Sequence, residues 1–201
     1  MSGIKSICVY CGSGPGINPA FVEAAKSFGR ILAKNGIGLI YGGGSVGLMG
    51  ALADSVLDYG GAVTGVIPDF LVDREHMLVR AQERIVTRDM HERKRVMFER
   101  ADAFVALPGG IGTLEELVEQ MTWAQLGRHK KPILVLNVER FWQPLLALLE
   151  HMEQLEFIRT GLSVKYLVAE RVEDILPKLL EAARKISDVE KEMTTVAAER
   201  L

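Results

Sequence analysis

A glycine-rich stretch near the middle of the chain is the part of this sequence best suited to hold a phosphorylated ligand. Residues 107–116 read Leu-Pro-Gly-Gly-Ile-Gly-Thr-Leu-Glu-Glu and join a predicted strand to a predicted helix. No Lys-Ser/Thr pair follows the glycines, so this is not the phosphate loop of ATPases. Its backbone amides are suited to cradle a monophosphate or the oxygens of a ribose.

Glu116, at the end of this stretch, has two interpretations. Thr113 and Glu116 have the Thr-x-x-Glu spacing of a capping box, in which the glutamate bonds the N-terminus of its own helix. A catalytic role would need the same carboxylate to face a ligand. The spacing alone favours the cap.

A basic segment, residues 89–98, precedes this stretch and contains Arg93. Met90, Arg93 and Met97 share one face of a predicted helix. An arginine among core-type residues needs an anionic partner or a solvated edge. The alternative is an ordinary solvated basic face, and the spacing does not separate the two.

Two further glycine loops follow predicted strands. The first, residues 11–16, offers the Ser13 hydroxyl. In the second, Gly42, Gly44 and Gly47 match the G-x-G-x-x-G motif of dinucleotide sites. Asp69 lies about 20 residues further along the chain, where such sites have an acidic residue for the ribose. However, the motif follows the second strand, and the alternative is tight packing of strand on helix. The candidate phosphate-contacting residues in these loops are Ser13, Gly43, Gly44 and Gly47.

The elements that must position these loops alternate along the chain. Short Val/Ile/Leu-rich strands are predicted at 4–11, 37–41, 62–67, 84–87, 103–107, 133–138 and 166–169, and helices at 19–35, 47–59, 90–101, 114–126, 142–155 and 172–186. This pattern predicts an α/β, Rossmann-like doubly wound, mostly parallel sheet with helices on both faces. Such sheets bind ligands outside the carboxyl ends of their strands. We expect one nucleotide-binding domain over residues 1–186 and a polar C-terminal tail over 187–201.

Composition narrows the classes of function. The chain has 201 residues and a formal net charge of −2, which gives no support for binding nucleic acid. No apolar stretch or N-terminal signal points to a membrane or to secretion, so we expect a cytoplasmic protein. Cys8 and Cys11 are spaced C-x-x-C but lie within a predicted strand, which favours buried structural thiols over a redox or metal pair. The four histidines are scattered, and no metal site is predicted.

Four motifs in order resemble those of the LOG (Lonely Guy) family of cytokinin riboside 5′-monophosphate phosphoribohydrolases. Residues 108–116 match its P-G-G-x-G-T-x-x-E signature. Supporting matches are Gly-Gly-Gly-x-x-Gly-Leu-Met-Gly at 42–50, Met-His-x-Arg-Lys at 90–94 and Thr-Trp-x-Gln-Leu-Gly at 122–127. The resemblance covers about residues 4–170.

The resemblance implies an N-glycosidase that hydrolyses a nucleoside 5′-monophosphate, a cytokinin riboside 5′-monophosphate, AMP or both, to free base and ribose 5-phosphate. It also implies a homodimer that needs no metal or redox cofactor. The catalytic pair of the family falls on Arg93 and Glu116. Its substrate-binding positions fall on Glu75, Arg93, Lys94, Gly109, Gly110, Ile111, Gly112, Thr113, Leu114, Glu115 and Thr122.

The residue types fit this chemistry. Breaking the C1′–N bond builds oxocarbenium character on the ribose, which a carboxylate stabilises while it orients or deprotonates water. Two alternatives remain: a dinucleotide-binding oxidoreductase, which leaves residues 108–116 unexplained, and a non-catalytic nucleotide-binding protein. A decarboxylase is disfavoured, because no lysine lies in a context typical of a pyridoxal phosphate Schiff base.

Overall fold

A computed structural model of the chain describes residues 3–74, 76–158 and 165–198, with side chains up to residue 189. Within these ranges seven strands form one sheet in the order β4-β3-β2-β1-β5-β6-β7, and every neighbouring pair is parallel. The strands are β1 (Ser6–Tyr10), β2 (Gly38–Tyr41), β3 (Val63–Pro68), β4 (Glu83–Thr87), β5 (Ala103–Ala106), β6 (Ile133–Leu136) and β7 (Leu167–Ala169).

Six α-helices of the described part of the chain connect and follow the strands. They are α1 (Pro19–Lys34), α2 (Gly47–Asp58), α3 (Met90–Arg100), α4 (Ile111–Gln125), α5 (Gln143–Gln154) and α6 (Ile175–Ala198). The predicted doubly wound α/β fold is confirmed. The last helix starts later than predicted, after a 3-10 turn over Val172–Asp174, and continues to Ala198 through most of the segment expected to be a polar tail.

Two apolar layers cover the two faces of the sheet. One contains buried residues of α1, α2 and α6, and the other contains buried residues of α3 and α4 with Trp142 at the start of α5. Successive residues of β1 alternate between the layers, so Cys8 belongs to one and Cys11 to the other. Both thiols are free and buried, as expected for structural cysteines.

The strand order reverses direction at β1. Going along the chain, strands are added on one side of β1 up to β4, and β5 then pairs on its other side. In open parallel sheets this switch point leaves a crevice at the carboxyl ends of the strands. The three glycine loops follow β1, β2 and β5, so the fold brings all three to this crevice.

Candidate functional site

Arg93 is buried at the carboxyl edge of the sheet. It lies on the third helix, α3, which begins after Asp89, whose carboxylate accepts a hydrogen bond from the Glu92 amide. Nε of Arg93 donates to the Val66 carbonyl at 3.0 Å, and Nη2 donates to the Gly42 carbonyl at 3.2 Å. The residue is 7% exposed, which excludes the alternative of an ordinary solvated basic face for Arg93.

Glycine at position 42 is what gives the guanidinium room. A Cβ atom at Gly42 would collide with Nη2 of Arg93 and approach the sulfur of Met49 to 2.9 Å. A side chain at this position would therefore displace Arg93 from the strand ends. The second glycine loop thus positions a charged side chain as well as shaping the turn.

Glu116 completes a buried ion pair with Arg93. Its Oε1 lies 3.3 Å from Nη1 of Arg93, and the two side chains are 10% and 8% exposed. The residue lies on α4, on the buried face that also holds Thr113 and Gln120. A charged pair so far removed from water needs good partners on both sides, which here are the opposite charge and two strand-end carbonyls.

The capping-box interpretation of Thr113 and Glu116 is wrong. The helix begins at Ile111, two residues before Thr113, and Gly110 occupies the N-cap position in an extended conformation with no side-chain cap. Glycine is acceptable at an N-cap, so the two glycines before Ile111 let the helix start earlier than the Thr-x-x-Glu spacing suggests. Thr113 and Glu116 are consequently both interior helical residues, and Glu116 is directed toward Arg93.

The first and third glycine loops are bonded to each other. The Gly12 amide donates to the Pro108 carbonyl at 3.0 Å, and the Gly12 carbonyl accepts from the Leu48 and Met49 amides at 3.0 and 3.3 Å. Gly47 has a φ of +62°, and a Cβ there would collide with the backbone of Ser13. The G-x-G-x-x-G segment therefore uses its helix-start amides to pack against the first loop.

The N-terminus of α4 differs from that of α2 in how its backbone amides are used. The amides of residues 110–113 have no hydrogen-bond acceptor within the described ranges, and the first intrahelical bond runs from the Leu114 amide to the Gly110 carbonyl. Ile111 at this end is 83% exposed. Unused amides at the open N-terminus of a long helix are suited to bind an anion. Of the two glycine-rich helix starts, this one keeps that capacity.

Lys94 and Glu115, neighbours of the buried pair, are bonded to each other. Lys94 Nζ lies 2.7 Å from Oε1 of Glu115 and 2.9 Å from Oε1 of Glu119. Burial alone would lower the pKa of Lys94, but its hydrogen bonds to the two carboxylates outweigh this and raise the pKa above its usual value. Glu119 was not predicted, because nothing in its local pattern separates it from a solvated helix face.

The remaining predicted positions are spread around this centre. Thr122 is exposed on α4, and its hydroxyl donates to the Val118 carbonyl one turn earlier. Glu75 lies outside the described residues. Residues that follow it lie against the second loop, because His76 O accepts from the Ser45 amide and Gly43 O accepts from the Leu78 amide.

Neither Ser13 nor Asp69 contributes a buried polar contact. Ser13 is exposed, and its backbone is what Gly47 packs against. Asp69 is exposed in a 3-10 turn, where its carboxylate accepts from the Phe70 amide at 2.7 Å. It is therefore engaged in its own turn, unlike the free ribose-binding acid of a dinucleotide site.

Three side chains near the ion pair, those of Cys8, Tyr10 and Cys11, are buried. Burial, reinforced by the charge of Glu116, raises the pKa of both the Cys8 and Cys11 thiols. Burial likewise raises the pKa of Tyr10, with Cys8 and then Glu116 adding to the effect. These groups stay protonated at neutral pH, so neither thiol is an activated nucleophile. The three side chains instead form the low-dielectric surroundings of the Glu116 carboxylate.

Two features are absent from the described part of the chain. Its His, Cys, Asp and Glu side chains form no group of three or more that could hold a metal ion. None of its helices has the length and apolar character required to cross a membrane.

The chain is similar to known proteins in both sequence and structure. The profile of a family described as "Possible lysine decarboxylase" matches residues 49–179. Cytokinin riboside 5′-monophosphate phosphoribohydrolase LOG7 of Arabidopsis thaliana is 42% identical, over 98% of this chain and 88% of the relative. The enzyme of the same name from Rhodococcoides fascians is 43% identical, over 84% of this chain and 86% of its own length.

Similar solved structures are more distant in sequence. The molybdenum cofactor binding protein of Rippkaea orientalis has a TM-score of 0.67 at 22% identity, with 89% of this chain and 97% of that chain covered. The molybdenum cofactor carrier protein of Chlamydomonas reinhardtii has the same TM-score at 21% identity, with 91% and 99% covered. At this identity the similarity describes the shared fold alone. The sequence relatives are far closer, and they place the chain in the LOG family of cytokinin riboside 5′-monophosphate phosphoribohydrolases.

Proposed function

We propose that the protein hydrolyses the N-glycosidic bond of a nucleoside 5′-monophosphate, releasing the free base and ribose 5-phosphate. The substrates are AMP, a cytokinin riboside 5′-monophosphate, or both. The observation that carries this proposal is the buried pair of Arg93 and Glu116, 3.3 Å apart, beside a helix N-terminus with unused amides. A carboxylate close to amides suited to bind an anion is the arrangement that this reaction requires, and this supports the proposal.

In the proposed mechanism the amides of residues 110–113 hold the phosphate. Glu116 is five positions after Ile111 along the helix, which corresponds to a rise of about 7.5 Å. A phosphate bound at the helix start therefore leaves room for the ribose to extend toward Glu116. Binding the phosphate fixes the position of C1′ and removes much of the entropic cost of alignment.

Glu116 carries the chemical step in this proposal. As the C1′–N bond breaks, positive charge grows on the ribose, and the carboxylate stabilises it and orients or deprotonates the attacking water. The Arg93 guanidinium holds the carboxylate through Nη1. Its bonds to Val66 and Gly42 fix the guanidinium, so the pair is positioned before substrate arrives.

The remaining positions implied by the family contribute to substrate binding in the proposal. They are Glu75, Gly109, Gly110, Ile111, Gly112, Thr113, Leu114, Glu115 and Thr122. The candidate phosphate-contacting residues Ser13, Gly43, Gly44 and Gly47, which follow from the glycine loops and not from the family, lie in the neighbouring loops. Thr122 is exposed and lies two residues beyond the buried Gln120. Its contribution would come at the open side of the site.

We also propose a homodimer. None of the residues of α5 is buried, and Leu148, Met152 and Leu155 form an exposed apolar row at helical spacing. A second copy of the chain covering this row would bury it. Light scattering coupled to size exclusion should give twice the mass of 22.1 kDa, and a monomer at micromolar concentration would contradict this part of the proposal.

The proposed location is the cytoplasm. Its support is the pair of free, buried cysteines, since disulfides are typical of oxidising compartments and free thiols of reducing ones.

The decisive experiment is incubation with a panel of 5′-monophosphates, with free base and ribose 5-phosphate measured by chromatography. The expected result is adenine from AMP and free cytokinin from N6-modified analogues. The matching nucleosides without phosphate serve as controls and should react far more slowly, because the helix amides are proposed to hold that group. Binding without turnover would indicate a carrier, and binding of NAD with no release of base would favour the oxidoreductase.

A further inference from the structure

Two ion-pair contacts lie side by side between α3 and α4. Arg93 and Lys94 are consecutive on α3, and Glu115 and Glu116 are consecutive on α4. The inner contact joins Arg93 to Glu116, and the outer one joins Lys94 to Glu115. Glu119, one turn further along α4, also bonds Lys94. We call Lys94, Glu115 and Glu119 the clasp.

The clasp is unlike a typical surface ion pair. The Lys94 side chain is only 12% exposed, and both of its contacts to carboxylate oxygens are shorter than 3 Å. An ammonium has three donors, and two of them are occupied by carboxylates of the protein. Screening by water and salt is weaker at such a site than at an exposed pair.

The clasp connects two helices that the chain does not join directly. Strand β5 and the third glycine loop lie between α3 and α4. Adjacent residues on a helix are about 100° apart around its axis, so two neighbouring contacts restrict rotation as well as separation. A rotation or slide of α4 relative to α3 would move Glu116 away from Arg93 and would also break the clasp.

We propose that Lys94 and Glu119 are positioning residues, which set the register of α4 so that Glu116 faces both Arg93 and the substrate. This inference rests on the proposed function. The family resemblance assigns Lys94 to substrate binding, whereas the contacts in this structure direct its ammonium to two carboxylates of α4. In this account Lys94 acts on turnover through Glu116.

Glu119 makes the proposal testable, because it is not among the predicted substrate-binding positions. The variants are Lys94→Met, Glu119→Met and the double variant, assayed for base release from AMP. We expect kcat to fall between about 10- and 100-fold in each single variant, since small misplacements of catalytic groups have effects of this size. KM should stay within about threefold, and the double variant should be no worse than the poorer single one.

Two controls separate this result from a loss of charge or of fold. Lys94→Arg keeps a charge of similar reach and should recover most of the activity. Lys26→Met removes a lysine from an exposed ion pair with Glu23, remote from the site, and should behave like wild type. If Lys94→Met fails to fold, Glu119→Met carries the test, because Lys94 retains Glu115 in that variant.

Other outcomes would overturn the proposal. A KM for AMP raised more than about tenfold by Lys94→Met, with kcat unchanged, would identify Lys94 as a substrate ligand. Full activity in Glu119→Met, or losses that multiply in the double variant, would also contradict a shared role. Failure of the proposed function is separate, because wild type would then release no base at all. In that case the affinity for ribose 5-phosphate, measured by calorimetry, still tests the role of the clasp. An affinity weakened by more than about tenfold in Lys94→Met would identify Lys94 as a ligand and overturn the positioning role.

Discussion

Nη1 of Arg93 and Oε1 of Glu116 lie 3.3 Å apart, although the two residues belong to helices that follow different strands of the sheet. Neither helix alone explains the burial of its charged residue. The pair forms because the switch between β1 and β5 brings the start of α4 beside α3 at the carboxyl edge of the sheet. The carboxylate is thus held at the place where an α/β sheet of this topology binds its ligand.

The first prediction concerns the charge of Glu116. Glu116→Gln keeps the size of the side chain and an oxygen that accepts from Arg93, so the protein should remain folded by near-ultraviolet circular dichroism. Base release from AMP should fall by at least about 100-fold, because the amide neither stabilises an oxocarbenium ion nor takes a proton from water. Glu99→Gln, on the exposed side of α3, is the matched control and should keep full activity. Undiminished adenine release by Glu116→Gln would remove Glu116 from the mechanism.

The second prediction concerns Arg93, the ion-pair partner of Glu116. Arg93→Met leaves the Glu116 carboxylate buried without its cation and the Val66 and Gly42 carbonyls without a donor. We expect a loss of about 3–5 kcal/mol in the free energy of unfolding, the usual effect of breaking a buried pair from one side. Urea unfolding measures this loss.

Combining Arg93→Met with Glu116→Gln separates the ion pair from simple packing. The double variant should be more stable than Arg93→Met alone, because it no longer buries an uncompensated carboxylate. Strictly additive losses would show that the two charges do not interact across the 3.3 Å gap. Both variants should be inactive in base release.

Much of the fold follows from local patterns that the sequence displays. Asn18 before Pro19 predicts a helix start, and Asn18 Oδ1 indeed accepts from the Ala20 amide at 3.0 Å. Strand and helix positions follow from apolar runs and helical periodicity, and a parallel sheet follows from their alternation. The confirmed features are those whose causes lie within one element or between elements adjacent in the chain.

The site is harder to predict because its contacts cross between elements. The Thr113–Glu116 spacing favours a cap, and only the actual start of α4 at Ile111 shows that both residues lie within the helix. Likewise, a glycine-rich motif does not say where its amides point. Those after β2 bond Gly12, whereas those after β5 remain unused within the described residues. Glu119 shows no signal at all until Lys94 is placed beside it.

The third prediction concerns Gln120, one turn beyond Glu116. Its side chain is completely buried, and neither its Nε2 nor its Oε1 has a partner in the described part of the chain. Gln120→Leu replaces an unpaired amide with an apolar group of similar size and should raise stability by about 1–3 kcal/mol. At about 2–4 °C per kcal/mol for a chain of this size, calorimetry should detect the increase in melting temperature. A lower melting temperature would mean that the amide is satisfied in solution.

The fourth prediction concerns the pH dependence of stability through His129, just beyond the C-terminus of α4. The imidazole is buried against Phe98 and Phe104, with Nδ1 accepting from the Lys131 amide and Nε2 lying 3.3 Å from the Gln120 carbonyl. These contacts suit the neutral ring protonated on Nε2, because Nδ1 must accept while Nε2 donates. Burial, together with the charges of Lys131 and Arg128, lowers the pKa of His129 below its ordinary value of 6.5.

The sign of the effect follows from this shift. The unfolded chain takes up a proton at this histidine near pH 6.5, whereas the folded protein resists protonation until a lower pH. The contribution of neutral His129 to the stability of the fold is therefore complete above about pH 6.5. It is lost as the pH falls through the lowered pKa of His129 in the folded protein. Melting temperatures between pH 8 and pH 5 should decline less steeply for His129→Gln than for wild type. Equal slopes for wild type and His129→Gln would show that the folded and unfolded chains bind a proton at this imidazole equally, which would contradict a pKa lowered by folding.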